Sequence, residues 1–295
     1  MPALKTSPED NPQAVVPCLK EILDTASARL EPFSPSARLD IELLLSHSLG
    51  KTRSFLMAWP EHRPEFTQLE CFETLLQRRL QGEPVAHLTG EREFWSLDLR
   101  VTPATLIPRP ETEHLVEQAL THIPAEQGVD IADLGTGSGA IAIAIAHERP
   151  GCRIVASDCS PDALDIARDN ARRHGLSNIR FRRGNWLEGD TSHYDVIVAN
   201  PPYVPNADPH LQEDGLPFEP LSALVAGDDG LDAIRAITQQ ARDHLNKGGW
   251  LLLEHGYDQQ VVVIELLRRS GYINIKGLQD LGGTERIVEA QWKTE

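Results

Sequence analysis

The sequence predicts an α/β protein: a doubly wound, seven-stranded, Rossmann-like sheet, preceded by a smaller N-terminal helical bundle and joined to it by a hairpin linker. Three observations carry that prediction. Beyond residue 110, short β-branched runs alternate with helical stretches, the pattern of strands linked by crossover helices. One strand feeds Gly135-Thr136-Gly137-Ser138-Gly139 straight into a helix, and another, Asp195 to Ala199, runs into Asn200-Pro201-Pro202-Tyr203. Before residue 82 the apolar residues sit instead between helix start and stop signals.

Composition narrows the function classes. The chain has 295 residues, 40% hydrophobic and 24% charged, core material enough for about two domains. Lys and Arg total 28 against 44 for Asp and Glu, a formal net charge of -16. That excess argues against broad, sequence-independent binding to nucleic acid, which depends on neutralising phosphates. The cysteines Cys18, Cys71, Cys152 and Cys159 form no CxxC pair and no zinc spacing; they read as reduced thiols of a cytoplasmic protein, with no metal site. The N-terminus lacks a basic segment followed by an apolar one, and the longest apolar run, Ala140 to Ala146, falls short of the roughly 20 residues a membrane span needs. Neither export nor a membrane is expected.

Residues 1–13 are polar and proline-containing and read as a disordered tail. A helical domain over 14–82 follows. It combines Val15 to Leu30, a helix opened by Ser34-Pro35 and closed by Gly50, a short piece around Phe55, and Pro64 to Leu80 ending at Gly82. It holds no chemical constellation. Its apolar residues, with His47 and Met57, read as core, and a partner-docking surface is the function left to it. Residues 83–110 form the linker: Phe94, Leu97, Leu99 and Val101 suggest a hairpin, and Pro103 with Pro108-Arg109-Pro110 a stiff connector. Arg109, Glu111 and Glu113 read as capping and surface charges around the helix Glu111 to His122.

The remaining domain, 111–295, opens with the strand Val129 to Leu134, the glycine turn and a helix from Ala140 to about His147. Such a turn lets backbone approach a ligand and offers free N–H groups to a negative end. Its spacing also fits the dinucleotide fingerprint, so the loop leaves nicotinamide and adenosyl cofactors both open. The strand Arg153 to Ser157 ends in Asp158, placed where a carboxylate can take both ribose hydroxyls. The competing role, N-cap of the helix Ser160 to His174, already suits Ser160. A third strand, Ile179 to Arg183, leads to Gly184-Asn185-Trp186, where Trp186 reads equally as an adenine contact or as core. After the fourth strand come an acidic loop from Val204 to Gly230, long enough to cover a substrate, and a helix from Leu231 to Asn246 ended by Lys247-Gly248-Gly249. The strand Trp250 to Glu254, the helix Asp258 to Ser270, and strands at Tyr272 to Ile275 and Glu285 to Gln291 complete the chain.

Asn200-Pro201-Pro202-Tyr203 is the chemically informative corner. Two prolines stop the strand and hold Asn200 and the Pro201 carbonyl stiffly at its carboxyl end. Both are acceptors, and together they can take the two N–H bonds of a carboxamide or an exocyclic amine while Tyr203 stacks on its π face. No base of ordinary strength removes an amide proton first, so the economical route is direct in-line attack on a strong electrophile. A plain turn after a strand is the competing reading.

The combination of Asp133-Leu134-Gly135-Thr136-Gly137-Ser138-Gly139 with Asn200-Pro201-Pro202-Tyr203 resembles class I S-adenosylmethionine-dependent amino-methyltransferases. The segments Gly82 to Gly90, Ile107 to Glu113, Asp208 to Leu211 and Phe218 to Leu224 narrow the resemblance to the release factor glutamine methyltransferases, the PrmC/HemK family, from about Ser36 to the C-terminus. It implies transfer of methyl from S-adenosyl-L-methionine, leaving S-adenosyl-L-homocysteine, to the side-chain nitrogen of glutamine in the Gly-Gly-Gln motif of peptide chain release factors 1 and 2, docked by both domains. It further implies that Asp133, Leu134, Gly135, Thr136 and Gly137 line the methionine and ribose side of the cofactor. Asp158 would bind the ribose and Trp186 border the adenine, while Asn200, Pro201, Pro202 and Tyr203 hold the glutamine, Asn200 also facing the cofactor. Other readings are a glutamine methyltransferase acting on a ribosomal protein, an adenine-N6 nucleic-acid methyltransferase, and a non-catalytic cofactor-binding module. The acid excess and the lack of an evident base-recognition domain count against the nucleic-acid reading.

Overall fold

The computed structural model describes residues 16–212 and 215–293; the tail expected over residues 1–13 lies outside them. Two compact units divide the chain at Thr89 and Gly90. The first holds helices α1 (Leu19–Leu30), α2 (Ala37–Leu49), α3 (Arg53–Ala58), α4 (Phe66–Leu80) and the short α5 (Val85–Thr89), which the sequence reading did not foresee. Their buried faces, including Leu19, Ile41, Leu44, Leu45 and Leu76, form one apolar cluster. His47, Met57, Leu39 and Leu43 depart from the expected core and are exposed. Helix α2 starts two residues later than Ser34-Pro35 suggested. The Ser34 and Ser36 hydroxyls are both drawn to Asp40, at 2.8 and 2.9 Å, and a turn precedes the helix. Its stop is as read: Gly50 takes the left-handed conformation, φ 61°.

The second unit begins with a hairpin of β1 (Glu91–Phe94) and β2 (Leu97–Arg100). Trp95 and Ser96 turn it with positive φ, 56° and 59°, the twist a two-residue hairpin demands. Glu113 accepts the Trp95 N–H at 2.8 Å, so this carboxylate braces the turn and is no mere surface charge. Then come α6 (Thr112–Thr121), β3 (Asp130–Leu134), α7 (Ala140–Glu148), β4 (Arg153–Asp158), α8 (Pro161–Arg173), β5 (Ile179–Arg183) and β6 (Tyr194–Ala199). They are followed by α9 (Asp232–His244), β7 (Leu245–Glu254), α10 (Gln260–Arg269), β8 (Ile273–Gln279) and β9 (Glu285–Gln291). The seven-stranded sheet has the order β5-β4-β3-β6-β7-β9-β8. β9 runs antiparallel to both its neighbours; the other pairs are parallel. Among the described residues, no helix is long and apolar enough to cross a membrane.

Chemistry explains where the elements fall. Helix α7, Ala-Ile-Ala-Ile-Ala-Ile-Ala, is buried through Ala146, and a helix apolar on every side belongs inside. Ser160 caps α8 through the Ala163 N–H at 3.2 Å, as its place before Pro161 suggested. β7 begins earlier than expected, at Leu245, because buried Leu245 pairs with Tyr194. Gly248 and Gly249 hydrogen-bond to Trp292 instead of ending the preceding helix. β8 likewise extends past Ile275, because Gly277 and Leu278 pair with Val288 and Ile287.

Asn170 of α8 is fully buried. Its amide bonds both the N–H and the carbonyl of Arg100, at 2.7 and 2.9 Å, and the Ser138 carbonyl at 2.9 Å. It thereby fastens the end of the hairpin to the glycine turn. Asn170→Ala removes all three bonds and is expected to cost about 2–3 kcal/mol, read as a lower urea midpoint with an unchanged slope.

Candidate active site

Parallel register brings the site together. Leu134 of β3 lies beside Ser157 of β4 and Ala199 of β6, and Ala199 lies beside Leu253 of β7. Gly135, Asp158, Asn200 and Glu254 therefore leave four adjacent strands at one edge. Strand order reverses between β3 and β6, and such a reversal opens a crevice outside the carboxyl ends of the strands.

The glycine turn is tied down from within. Gly135 and Thr136 N–H groups donate to the Ser157 carbonyl at 2.8 and 2.9 Å, and Gly139 N–H to the Thr136 carbonyl at 2.8 Å. Gly137 N–H donates to Asp158 Oδ2 at 2.9 Å. These four donors are committed, which leaves fewer N–H groups for an anion than the turn and helix start suggested. Gly135 is required twice over: its φ is +72°, and a Cβ there would stand 3.0 Å from the Trp186 ring. Trp186 itself has φ 56°, an uncommon conformation for a bulky residue. It lines the crevice and packs against the core at once.

Asp158 accepts from Ser160 N–H through Oδ1, 2.9 Å, and from Gly137 through Oδ2. A carboxylate has about four acceptor positions, so both oxygens keep capacity toward the crevice that Asp158 lines. Asp133, Leu134 and Thr136 lie behind the turn, buried, and do not line the crevice. Asp133 Oδ2 accepts from Thr136 Oγ1 at 2.6 Å and Ala142 N–H at 3.2 Å, while its Oδ1 has no partner.

At the corner, Asn200 Nδ2 donates to Thr112 Oγ1 at 3.0 Å. Thr112 Oγ1 donates in turn to Glu254 Oε2 at 2.8 Å. The Tyr203 hydroxyl reaches the other Glu254 oxygen at 3.4 Å. Thr112 and Glu254 are both buried. Asn200 lines two clefts. The first carries Gly135, Gly137, Asp158, Trp186 and Pro202; the second carries Pro201, Tyr203, Arg109 and Arg286. Leu106 and Ala223 also border both. A ligand in one cleft can thus meet a ligand in the other at Asn200.

Several residues here escaped the sequence reading. The connector 103–110 is a wall of the site through Ala104, Thr105 and Leu106. Arg109 is no cap or free surface charge: it pairs with buried Glu219, whose other oxygen accepts the Ile107 N–H at 2.8 Å. This pins the 204–230 loop to the connector. That loop also closes on itself, with Val204 bonded to Leu224 and Ala226. Glu254 left a signal that was missed: an acid ending the apolar run Leu251-Leu252-Leu253 at the ligand-binding edge of the sheet.

Comparison with known proteins fits this geometry. Residues 21–90 match the PrmC N-terminal domain and 114–212 the methyltransferase small domain. The release factor glutamine methyltransferase of Pseudomonas aeruginosa is 52% identical over 262 residues, 88% of this chain and 95% of that protein. Its Coxiella burnetii counterpart is 47% identical over 274 residues, 92% and 98% of the two chains. The chain belongs to the release factor glutamine methyltransferase family. A solved methyltransferase from Pyrococcus furiosus shares the fold, with a TM-score of 0.53 and 20% identity over 75% of this chain and 99% of that one.

Two carboxyls of this methyltransferase carry unusual protons. Burial pushes Glu254 up to about 7, against opposing pulls from the Thr112 hydrogen bond and the Arg286 charge. Burial pushes Asp133 to about 7 as well, the Thr136 and Ala142 bonds resisting and the Asp158 charge adding to the rise. A folded pKa above the unfolded one means that the native state binds the proton more tightly. The cost of ionising Glu254 is therefore absent below its ordinary pKa of 4.5 and complete above about 7. Glu254→Gln should stabilise the fold by on the order of 1–3 kcal/mol at alkaline pH. That gain should shrink to nothing toward pH 4.5, as read from denaturation at the two extremes.

Proposed function

We propose that the protein methylates the side-chain nitrogen, N5, of the glutamine in the Gly-Gly-Gln motif of peptide chain release factors 1 and 2, with S-adenosyl-L-methionine as donor and S-adenosyl-L-homocysteine as product. The observation that carries the reading is the meeting of two clefts at Asn200, whose Nδ2 is committed to Thr112. Its amide oxygen, Oδ1, is left as the acceptor at the junction.

The first cleft suits the cofactor. Its glycine turn has spent four N–H groups, those of Gly135, Thr136, Gly137 and Gly139, within the protein, which favours an adenosyl donor without phosphates over a dinucleotide. Asp158 keeps acceptor capacity for ribose hydroxyls, and Trp186 offers a ring for the adenine. Gly135 and Gly137 admit the cofactor close to backbone, held from behind by Asp133, Leu134 and Thr136. When bound, S-adenosyl-L-methionine supplies a methyl group made electrophilic by its sulfonium.

In the second cleft Asn200 Oδ1 and the Pro201 carbonyl accept the two N–H bonds of the glutamine carboxamide. Pro202 keeps that bend rigid, and Tyr203 covers the π face. Drawing on both hydrogens localises the nitrogen lone pair, so attack precedes loss of the proton. Glu254 is not the base. Its oxygens already accept from Thr112 and Tyr203.

Asn200→Ala should lower turnover by about 10² to 10³-fold, the scale for one preorganised contact to a transition state, with a smaller change in cofactor affinity. Asp158→Ala should act on the other cleft, weakening cofactor binding in calorimetry. Incubation with each release factor, followed by mass spectrometry of the Gly-Gly-Gln peptide, tests the reaction itself. A peptide without added methyl on glutamine refutes it.

A further inference from the structure

A carboxamide has an oxygen at one end and an NH₂ at the other, of nearly equal size, so packing alone does not choose which end faces a ligand. At Asn200 the choice decides whether the corner accepts or donates. The bonding partners behind it supply the missing direction. Thr112 Oγ1 owns one proton. An ionised Glu254 only accepts, so that proton goes to Glu254 Oε2, 2.8 Å away. The hydroxyl then has only lone pairs left for Asn200, at 3.0 Å, and Nδ2 must face it.

We infer that Thr112 and Glu254 are positioning residues: ionised Glu254 sets a one-way chain of hydrogen bonds through Thr112 that turns the Asn200 oxygen toward the acceptor amide. This rests on the reaction proposed above. With Glu254 protonated the chain can reverse. The acid donates to Thr112, Thr112 donates to Asn200, and the Asn200 NH₂ faces the cleft, where it meets the N–H bonds of the substrate instead of accepting them.

The groups around Glu254 are consistent with a two-state carboxyl. Arg286 of β9 favours the ionised form and Glu111, before α6, opposes it. Tyr203 stays neutral, its hydroxyl pushed up by burial and by the Glu254 charge. His255, just past the end of β7, is held neutral by burial. Arg109 acts on Tyr203 from the connector. Asp133 lies behind the cofactor turn, so its titration bears on cofactor affinity and leaves turnover at saturation to Glu254.

The test is steady-state kinetics of the full chain with S-adenosyl-L-methionine and release factor 1, with cofactor binding measured separately by calorimetry. Thr112→Val keeps the shape and deletes both hydrogen bonds. It should lower kcat by about 10 to 100-fold, the usual scale for an orienting partner behind a working group, with KM and cofactor affinity unchanged. Thr112→Ser should restore most of the rate. In the parent, kcat should climb with pH through about 7 and level off, and Glu254→Gln should flatten that profile. Parental kcat in Thr112→Val overturns the inference, as does a parental pH profile in Glu254→Gln, which also decides the matter if Thr112→Val does not fold. An inactive Asn200→Ala beside a fully active Thr112→Val sinks the relay alone. An Asn200→Ala enzyme with normal turnover sinks the reaction mechanism beneath it.

Discussion

Everything at the site depends on the register of three neighbouring parallel strands. Leu134, Ala199 and Leu253 stand side by side, so the glycine turn, Asn200 and Glu254 emerge together. β6 is buried from Val196 to Ala199, and a strand apolar on both faces has no alternation to hold it in place. A slip of one residue would carry Asn200 about 3.3 Å along the strand and reverse its face. Hydrogen bonds at the opposite edge fix the alignment. Asp195, at the start of β6, accepts the Asp130 N–H of β3 at 2.9 Å and the Asn246 amide of β7 at 2.8 Å. One carboxylate thus ties three strands at their amino ends, and the effect is felt at their carboxyl ends.

How much of this was legible depended on whether a feature was local. Strand, glycine turn and helix around Gly135, the cap at Ser160, and the stiff corner after Ala199 each rest on neighbours in sequence, and each appears where the residues suggested. The boundary between α9 and β7 did not, because Lys247-Gly248-Gly249 looks like a helix stop until the distant partner Trp292 is known. Arg109 misled for the same reason. Beside Glu111 and Glu113 it resembles a cap, yet its partner is Glu219, 110 residues away. The Asn200–Thr112–Glu254 chain joins three segments that no periodicity connects. Only the charge closing Leu251-Leu252-Leu253 hinted at it.

The two buried carboxyls show what the fold tolerates for its site. Removing an acid from water is costly, and Glu254 and Asp133 respond by holding their protons to about 7. A leucine or glutamine in either place would relieve that cost. Asp133 organises the turn through Thr136 and the first turn of α7 through Ala142. Glu254 organises the corner through Thr112 and Tyr203. Both carboxyls therefore trade stability for geometry at the edge of the crevice, the exchange expected where function conflicts with packing.

The same geometry explains why an amide, among nitrogen nucleophiles, suits this corner. A lysine amine is a good nucleophile once deprotonated and would call for a base at the site. Neither of the two buried carboxylates tied to this corner and its connector has both oxygens free to serve: Glu254 is engaged by Thr112 and Tyr203, and Glu219 by Arg109 and Ile107. What the corner provides is two acceptors on a backbone stiffened by prolines. Two acceptors match a planar NH₂, and holding both of its hydrogens raises the electron density on nitrogen without removing either. A carboxamide gains most from that help, because its lone pair is otherwise spent in conjugation with its own carbonyl. Selectivity and activation in the proposed reaction then have a single source, the direction in which Asn200 points.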